Sequence, residues 1–164
     1  MRLFHRPKPD VEGAYQRHAD ALYRLALARL ANDADAQDAV QDVFLNYMSN
    51  PPAFESADHE RAWFLRATVN RCYDLLRKNQ VRQAIPLEEA LGVAAQDHNG
   101  VTELMELLQL IPEIYKDTVI LHCLEGYSLE ETAEILGISL SAAKMRLSRA
   151  REALKAMRKE EDDV

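Results

Sequence analysis

The segment Glu125–Leu154, EGYSLEETAEILGISLSAAKMRLSRAREAL, most narrows what this chain can fold into. Its punctuation dictates two helices and a tight turn. Ser128 is placed to cap the first helix, and Glu131 three residues on completes a capping box. Leu129, Thr132, Ala133 and Leu136 give that helix an apolar stripe. Gly137 suits the left-handed position that ends a helix, and Ile138 plugs the core beneath the turn. Ser139 caps the next helix. There Leu140, Ala143, Leu147, Ala150 and Leu154 form one stripe at helical spacing. Ser141, Ala142, Met145, Ser148 and Arg149 lie opposite, flanked by Lys144, Arg146 and Arg151. A buried stripe under a small, polar and basic outer face suits a helix that lies in a major groove. The alternative is an ordinary helical hairpin with a solvated basic face.

The helical repeat runs through almost every periodic segment, and no convincing alternating strand appears. Residues 11–31 read as an amphipathic helix with Leu22, Leu25, Ala26 and Leu30 inward, broken by Asn32-Asp33. Asp33 or Asp35 is expected to cap a second helix to about Met48, with Ala36, Ala39, Val40, Val43, Phe44 and Tyr47 apolar. Asn50-Pro51-Pro52 ends it. A long helix is expected from Asp58 to about Arg82, with Trp63, Phe64, Ala67, Val69, Tyr73 and Leu76 available for packing. Residues 83–101 lack a sustained period and contain Pro86, Gly92 and Gly100, so they read as a linker, with a short helix possible over Leu87–Ala95. Thr102 is expected to cap a helix through Ile111, and Pro112 to open one that runs to Leu124 and ends at Gly126. The predicted fold is all-α: a helical domain at 10–82, a flexible acidic linker at 83–101, and a four-helix domain at 102–159 containing the helix-turn-helix. Hydrophobic residues make up 48% of the 164, enough for one core or two small ones.

The formal net charge of −7 argues against a free-standing nonspecific nucleic-acid binder, but the charge is divided by position. Residues 61–82 carry Arg61, Arg66, Arg71, Arg77, Lys78 and Arg82 against Asp74, a local +5. Residues 83–112 carry five acids and no base. Residues 138–159 carry seven bases against Glu152, a local +6. Two basic helices around an acidic stretch suggest two places that meet phosphate.

Cys72 and Cys123 each fall inside a helical pattern and read as buried free thiols of a reducing compartment. The five histidines show no ligand spacing with them, so neither metal nor other cofactor is expected. The opening MRLFHRPKP is basic but has no apolar run after it, unlike a signal peptide. No segment approaches the ~18 apolar residues of a membrane span, so no direct membrane insertion is expected. The chain is expected to be soluble and cytoplasmic.

Three pieces in order, Asp33–Phe44 (DADAQDAVQDVF), Arg61–Arg77 (RAWFLRATVNRCYDLLR) and Glu125–Leu154, resemble a bacterial RNA polymerase sigma factor of the extracytoplasmic-function (ECF) group. The resemblance covers nearly the whole chain. It implies a promoter-melting domain, a linker and a helix-turn-helix domain. Asp38, Gln41 and Asp42 resemble the residues that grip the clamp helices of the polymerase largest subunit. Taken alone, those acids would read as solvated charges. The Asn50–Asp58 loop and the helix after it resemble the part that captures the melted strand of the minus-ten element. Phe54, Glu55, Ser56 and His59 would supply the pocket for a flipped base, and Asn70, Arg71, Arg77 and Lys78 the phosphate contacts. Trp63 occupies a position where the family has an aromatic residue. Such a residue either packs in the core, the reading favoured here, or helps hold melted DNA open.

The same resemblance makes Ser141, Ala142, Lys144, Met145, Arg146 and Arg149 readers of the minus-thirty-five element, with Ser139 and Ser148 completing the face. Met145 departs from the small polar residue expected there. Glu88 and Glu89 of the linker would either imitate phosphate in a polymerase channel or simply keep the linker soluble. The implied function is a dissociable transcription initiation factor whose partners are core RNA polymerase, promoter DNA and an anti-sigma factor. No small-molecule substrate or enzymatic chemistry is implied, since no nucleophile–base pair, phosphate loop or metal set is visible. The competing reading is a stand-alone dimeric helix-turn-helix regulator, which leaves the basic helix at 61–82 unexplained.

Overall fold

A computed structural model of the chain describes residues 8–82 and 99–163. Glu88, Glu89 and the short helix expected over Leu87–Ala95 lie outside the described residues. Within them, every regular element is helical.

Helix α1 spans Val11–Leu30; Asp10 accepts a hydrogen bond from the Gly13 N–H, and Ala31 ends the helix in the left-handed conformation. Helix α2 spans Asp33–Ser49. Its cap is Asn32 rather than Asp33 or Asp35: the Asn32 backbone is extended and its side chain accepts from the Asp35 N–H at 2.9 Å. The two aspartates instead occupy the first turn, where the helix dipole favours negative charge. Helix α3 spans Ala57–Arg82, one residue earlier than expected, because Ser56 accepts from the His59 N–H and so starts it. Helix α4 spans Asn99–Gln109, which puts Thr102 inside the helix instead of at its cap. Helix α5 spans Glu113–Val119 directly after Pro112 and continues into a π-helical turn over Ile120–Leu124. Helices α6, Leu129–Leu136, and α7, Leu140–Asp162, form the helix-turn-helix.

The π turn corrects one expectation. Cys72 is buried and its thiol is pushed up to about 12 by desolvation, but Cys123 is exposed. The Glu125 N–H reaches back to Ile120 O, five residues away, so the turn is wider than an α-turn. That rotates the residues near its end away from the face that a 3.6-residue period assigns.

Packing within α1–α3 centres on Phe64, which has no exposed surface. Around it lie Phe44 at 5.3 Å, Tyr47 at 5.1 Å, Trp63 at 4.9 Å and the His18 ring at 4.7 Å between centroids. Each buried aromatic or aliphatic side chain contributes about 1.5–3 kcal/mol. The buried apolar residues do not stop at α3. Leu108, Ile111, Ile120, Leu121, Ile135 and Ala150 join the cluster that contains Phe64, Leu65 and Leu25. Helix α6 lies against α3, and the π turn touches α1.

Two polar features pin this arrangement. Glu60 Oε1 accepts from Arg17 Nη2 at 2.7 Å and lies 2.8 Å from His18 Nε2. Burial pushes the Glu60 carboxyl up, but Arg17 and His18 more than reverse that and hold it below its ordinary value of 4.5. Gly137 has φ +67°, and a Cβ there would lie 2.7 Å from Arg66 Nη2. It therefore needs glycine for its conformation, whereas the exposed Arg66 side chain could give way to a Cβ.

A depressed carboxyl stabilises the fold above its unfolded value and loses that contribution as pH falls through the folded one. Glu60→Gln should cost about 1–2 kcal/mol at neutral pH. It should also make the loss of stability on acidification below roughly pH 5 shallower than in the parent. Denaturant titrations at several pH values read both. Gly137→Ala should cost about 1–2 kcal/mol from the left-handed backbone alone, visible as a lower denaturant midpoint with an unchanged slope.

Candidate nucleic-acid interface

The helix-turn-helix is built as its capping residues dictate. Ser128 Oγ accepts from the Glu131 N–H at 3.0 Å, and Glu131 Oε1 accepts from the Ser128 N–H at 3.3 Å. Gly137 turns the chain, and Ser139 Oγ accepts from the Ala142 N–H at 3.1 Å to start α7. Ala143, Leu147 and Ala150 are buried, which turns Ser141, Lys144, Met145, Ser148 and Arg149 outward. Ala142 is half-buried at the edge of that face. Arg146 does not share it: half-buried, it points back at α5, where Nη1 lies 3.5 Å from Ile114 O. Ser139 is exposed, but its hydroxyl is committed to the cap. Met145 is 51% exposed, a large apolar side chain in the middle of the outer face. Such a group meets a thymine methyl better than a polar base edge.

The second candidate surface lies on α3 and the loop before it. Phe54 is half-buried, stacked on Tyr47 at 6.2 Å and edge-on to Trp63 at 5.9 Å. His59 stands edge-on to Phe54 at 5.5 Å, and its Nδ1 accepts from the Glu55 N–H at 3.1 Å. That bond requires a lone pair on Nδ1, which leaves Nε2 to carry the ring proton and face outward as a donor. Glu55, Ser56 and His59 are exposed, but Ser56 also serves as the α3 cap. Further along α3, Asn70, Arg77 and Lys78 are exposed. Arg71 is half-buried, with Nε and Nη2 each 2.7 Å from Asp42 Oδ2. Two groups singled out for different partners are thus paired with each other.

An open cleft of about 750 Å³ runs between α2 and α3 beside this pair, lined by Asn46, Trp63, Arg66, Asn70, Arg71 and Asp74 among others. Trp63 is half-buried: one edge meets Phe64 in the core and another lines the cleft. Asn46 and Arg66 were not visible as site candidates in the sequence, because cleft membership depends on how two helices cross.

Asp38 and Gln41 are exposed on α2, and Asp42 is half-buried. The same stripe continues at helical spacing with Leu45 and Met48, 51% and 52% exposed, and Tyr15 of α1 lies beside them at 56%. Their signal in the sequence is the continuation of Asp38 and Gln41 by two apolar residues at the following turns. Leu107 of α4, Leu110 in the turn that follows and Ile114 of α5 are also exposed apolar residues.

Comparison with known proteins gives these surfaces a context. Residues 14–82 match the model of sigma-70 region 2, and residues 102–154 that of sigma-70 region 4. RNA polymerase sigma factor SigV of Bacillus subtilis is 35% identical over 143 residues, covering 86% of this chain and 84% of that one. ECF RNA polymerase sigma factor SigM of Mycobacterium tuberculosis is 32% identical over 140 residues, covering 84% and 71%. The fold is similar to that of the sigma factor RpoE from Bartonella quintana in complex with the anti-sigma factor NepR. That match has a TM-score of 0.71 at 22% identity and covers 92% of this chain and 97% of the other. A stand-alone dimeric regulator is not favoured, since it accounts for only the second of the two matched segments. The basic α3, the capped helix-turn-helix and the two matched regions in order identify the chain as a member of the ECF group of RNA polymerase sigma factors.

Proposed function

We propose that residues 10–82 and 102–159 of this transcription initiation factor act as two promoter-contacting modules joined through 83–101, and that both also bind core RNA polymerase. The observation that carries this reading is the outward face of α7, where Ser141, Lys144, Met145, Ser148 and Arg149 stand over a buried stripe. Lys144 supplies phosphate contact, while Ser141, Met145 and Arg149 meet base edges of the minus-thirty-five element. Arg146, turned toward Ile114, acts as a phosphate contact only after it leaves that carbonyl.

On the first module, His59 and Glu55 present polar edges for the melted minus-ten strand, and Phe54 forms the floor that holds them. Asn70, Arg77 and Lys78 follow the backbone, joined by Arg71 once it exchanges Asp42 for phosphate. The cleft beside Trp63 and Asn46 lies on the path between these groups. Polymerase binding uses Asp38, Gln41 and Asp42 together with the apolar Leu45, Met48 and Tyr15. A charged rim beside an exposed apolar patch is the usual anatomy of a protein interface. Leu107, Leu110 and Ile114 provide the second module's contact. The chain itself carries out no bond chemistry, works in the cytoplasm, and is held inactive by an anti-sigma factor until released. The last point draws on the shared fold with RpoE, which binds one.

Run-off transcription with core polymerase on genomic fragments tests the whole reading; folded protein that stimulates no start site refutes it. Arg149→Ala should cost about 1–3 kcal/mol and relax preference at one base pair of the upstream element. Leu45→Asp should weaken polymerase binding at least tenfold, or about 1.4 kcal/mol, while leaving thermal unfolding close to the parent's. Equal binding by that variant would remove the α2 patch from the interface.

A further inference from the structure

Arg29 of α1 has no exposed side-chain surface, and its carboxylate partners come from the other half of the chain. Its Nη1 donates to Glu113 Oε2 at 2.7 Å. Its Nε lies 2.8 Å from Asp117 Oδ1, a charge contact without hydrogen-bond alignment. Asp117 is 2% exposed, and the Arg29 guanidinium lies 5.2 Å from the Tyr73 ring centroid. Lys116 reaches Glu113 Oε1 at 2.6 Å and completes the group.

Three further contacts cross the same seam. Arg24 of α1 donates to both carboxylate oxygens of Glu125 at 3.1 Å. Arg61 of α3 donates to Glu131 of α6 at 3.0 Å and covers the Tyr127 ring at 4.9 Å. Arg66 of α3 rests on Gly137, at the turn of the helix-turn-helix. Two of the six bases on the 61–82 segment are thus turned onto the second half of the molecule.

This arrangement cannot bind a promoter at two points. Elements named for positions ten and thirty-five lie about 25 base pairs apart, roughly 85 Å at 3.4 Å per base pair. With α6 packed on α3, the outer face of α7 is only about one or two helix diameters from the basic face of α3. We propose that the seam is an autoinhibitory latch: the unpartnered chain is held shut by Arg29 in the Asp117–Glu113 cluster, and productive binding to polymerase requires that cluster to come apart. This deepens the two-module reading and rests on it.

The decisive experiment measures the distance between halves in the full chain with no partner present. Nitroxide labels are placed on the exposed positions Gln16 and Lys155, as Gln16→Cys and Lys155→Cys in a Cys123→Ser background, and read by pulsed electron paramagnetic resonance. The parent should give one short, narrow distribution. Arg29→Met leaves the Asp117 charge stranded in the closed form, where it is 2% exposed, but free to be solvated once the halves part. That variant should give a long, broad distribution at unchanged helix content by circular dichroism. Arg24→Glu tests the same seam from the solvent side, without disturbing the core. It should shift part of the population outward, and Glu125→Arg added to it should bring the short distance back.

The opened Arg29→Met variant should bind core polymerase about tenfold more tightly than the parent, because apparent affinity falls with the fraction of competent molecules. A parent that is already broad overturns the latch. So does an Arg29→Met variant, or Arg24→Glu, that stays short, and so does opening without tighter binding. The distances need neither polymerase nor DNA. If the labels report a latch that opens as described but no form binds polymerase, the two-module reading fails and the inhibitory role falls with it.

Discussion

A guanidinium without exposed surface has to be answered by negative charge, and here the answer comes from a helix some 85 residues further along the chain. Arg29 cannot stay where α1 places it unless Asp117 and Glu113 are brought to it. Desolvation works against the Arg29 charge, and Asp117 and Glu113 more than compensate, leaving the guanidinium harder to deprotonate than usual. Asp117 fares differently. Its own burial dominates, and its carboxyl is raised above the ordinary value despite the arginine beside it. The pair therefore holds the two halves in register without being a large net source of stability, as is common for buried ion pairs.

The contrast with the surface pairs explains why one cluster matters most. Arg24–Glu125 and Arg61–Glu131 have at least one well-exposed member each, so each contributes at most about 1 kcal/mol and is weakened by salt. Losing either leaves a charge that water can accept. Losing one partner of Arg29 and Asp117 strands a charge in the core, at about 3–5 kcal/mol. The shared apolar cluster adds attraction along the seam but little specificity of angle, since apolar contact is non-directional.

Much of the local structure was legible because it is written in short-range chemistry. Ser128 with Glu131, Gly137 and Ser139 dictate the helix-turn-helix wherever the rest of the chain lies. The stripes from Ala36 to Tyr47 and from Ala143 to Ala150 are buried as their spacing requires. Errors arose where one residue had a competitor next to it. Asn32 took the cap from Asp33 and Asp35, and Ser56 started α3 ahead of Asp58. Cys123 was misassigned because the π turn changes the period within a helix, and composition carries no sign of that. The seam was illegible for a different reason. Periodicity says which face of a helix is apolar, but not which other helix covers it. Nothing in the spacing of Arg29 or Asp117 marks either as buried or as the other's partner. Arg71 and Asp42 were assigned separately to DNA and to polymerase, with nothing in the sequence to show them within 2.7 Å of each other.

That last pair shows how the two proposed binding events depend on each other. While Asp42 holds Arg71, the arginine carries little free charge toward phosphate, and the aspartate little toward a basic partner. A polymerase surface that draws Asp42 away frees Arg71 for the DNA backbone, and phosphate on Arg71 frees Asp42 in turn. The coupling is reciprocal, as any linkage between two binding events must be. Its size is bounded by a half-exposed ion pair, so it is smaller than the effect of opening the seam. The two act in the same direction: each makes the solitary chain a poorer DNA binder than its count of bases suggests. The net charge of −7 then ceases to be a paradox for a promoter-binding protein. On the proposed reading, Arg29, Arg61 and Arg71 are held by the chain's own acids until a larger partner separates them, and two weak contacts on one scaffold then combine through effective concentration.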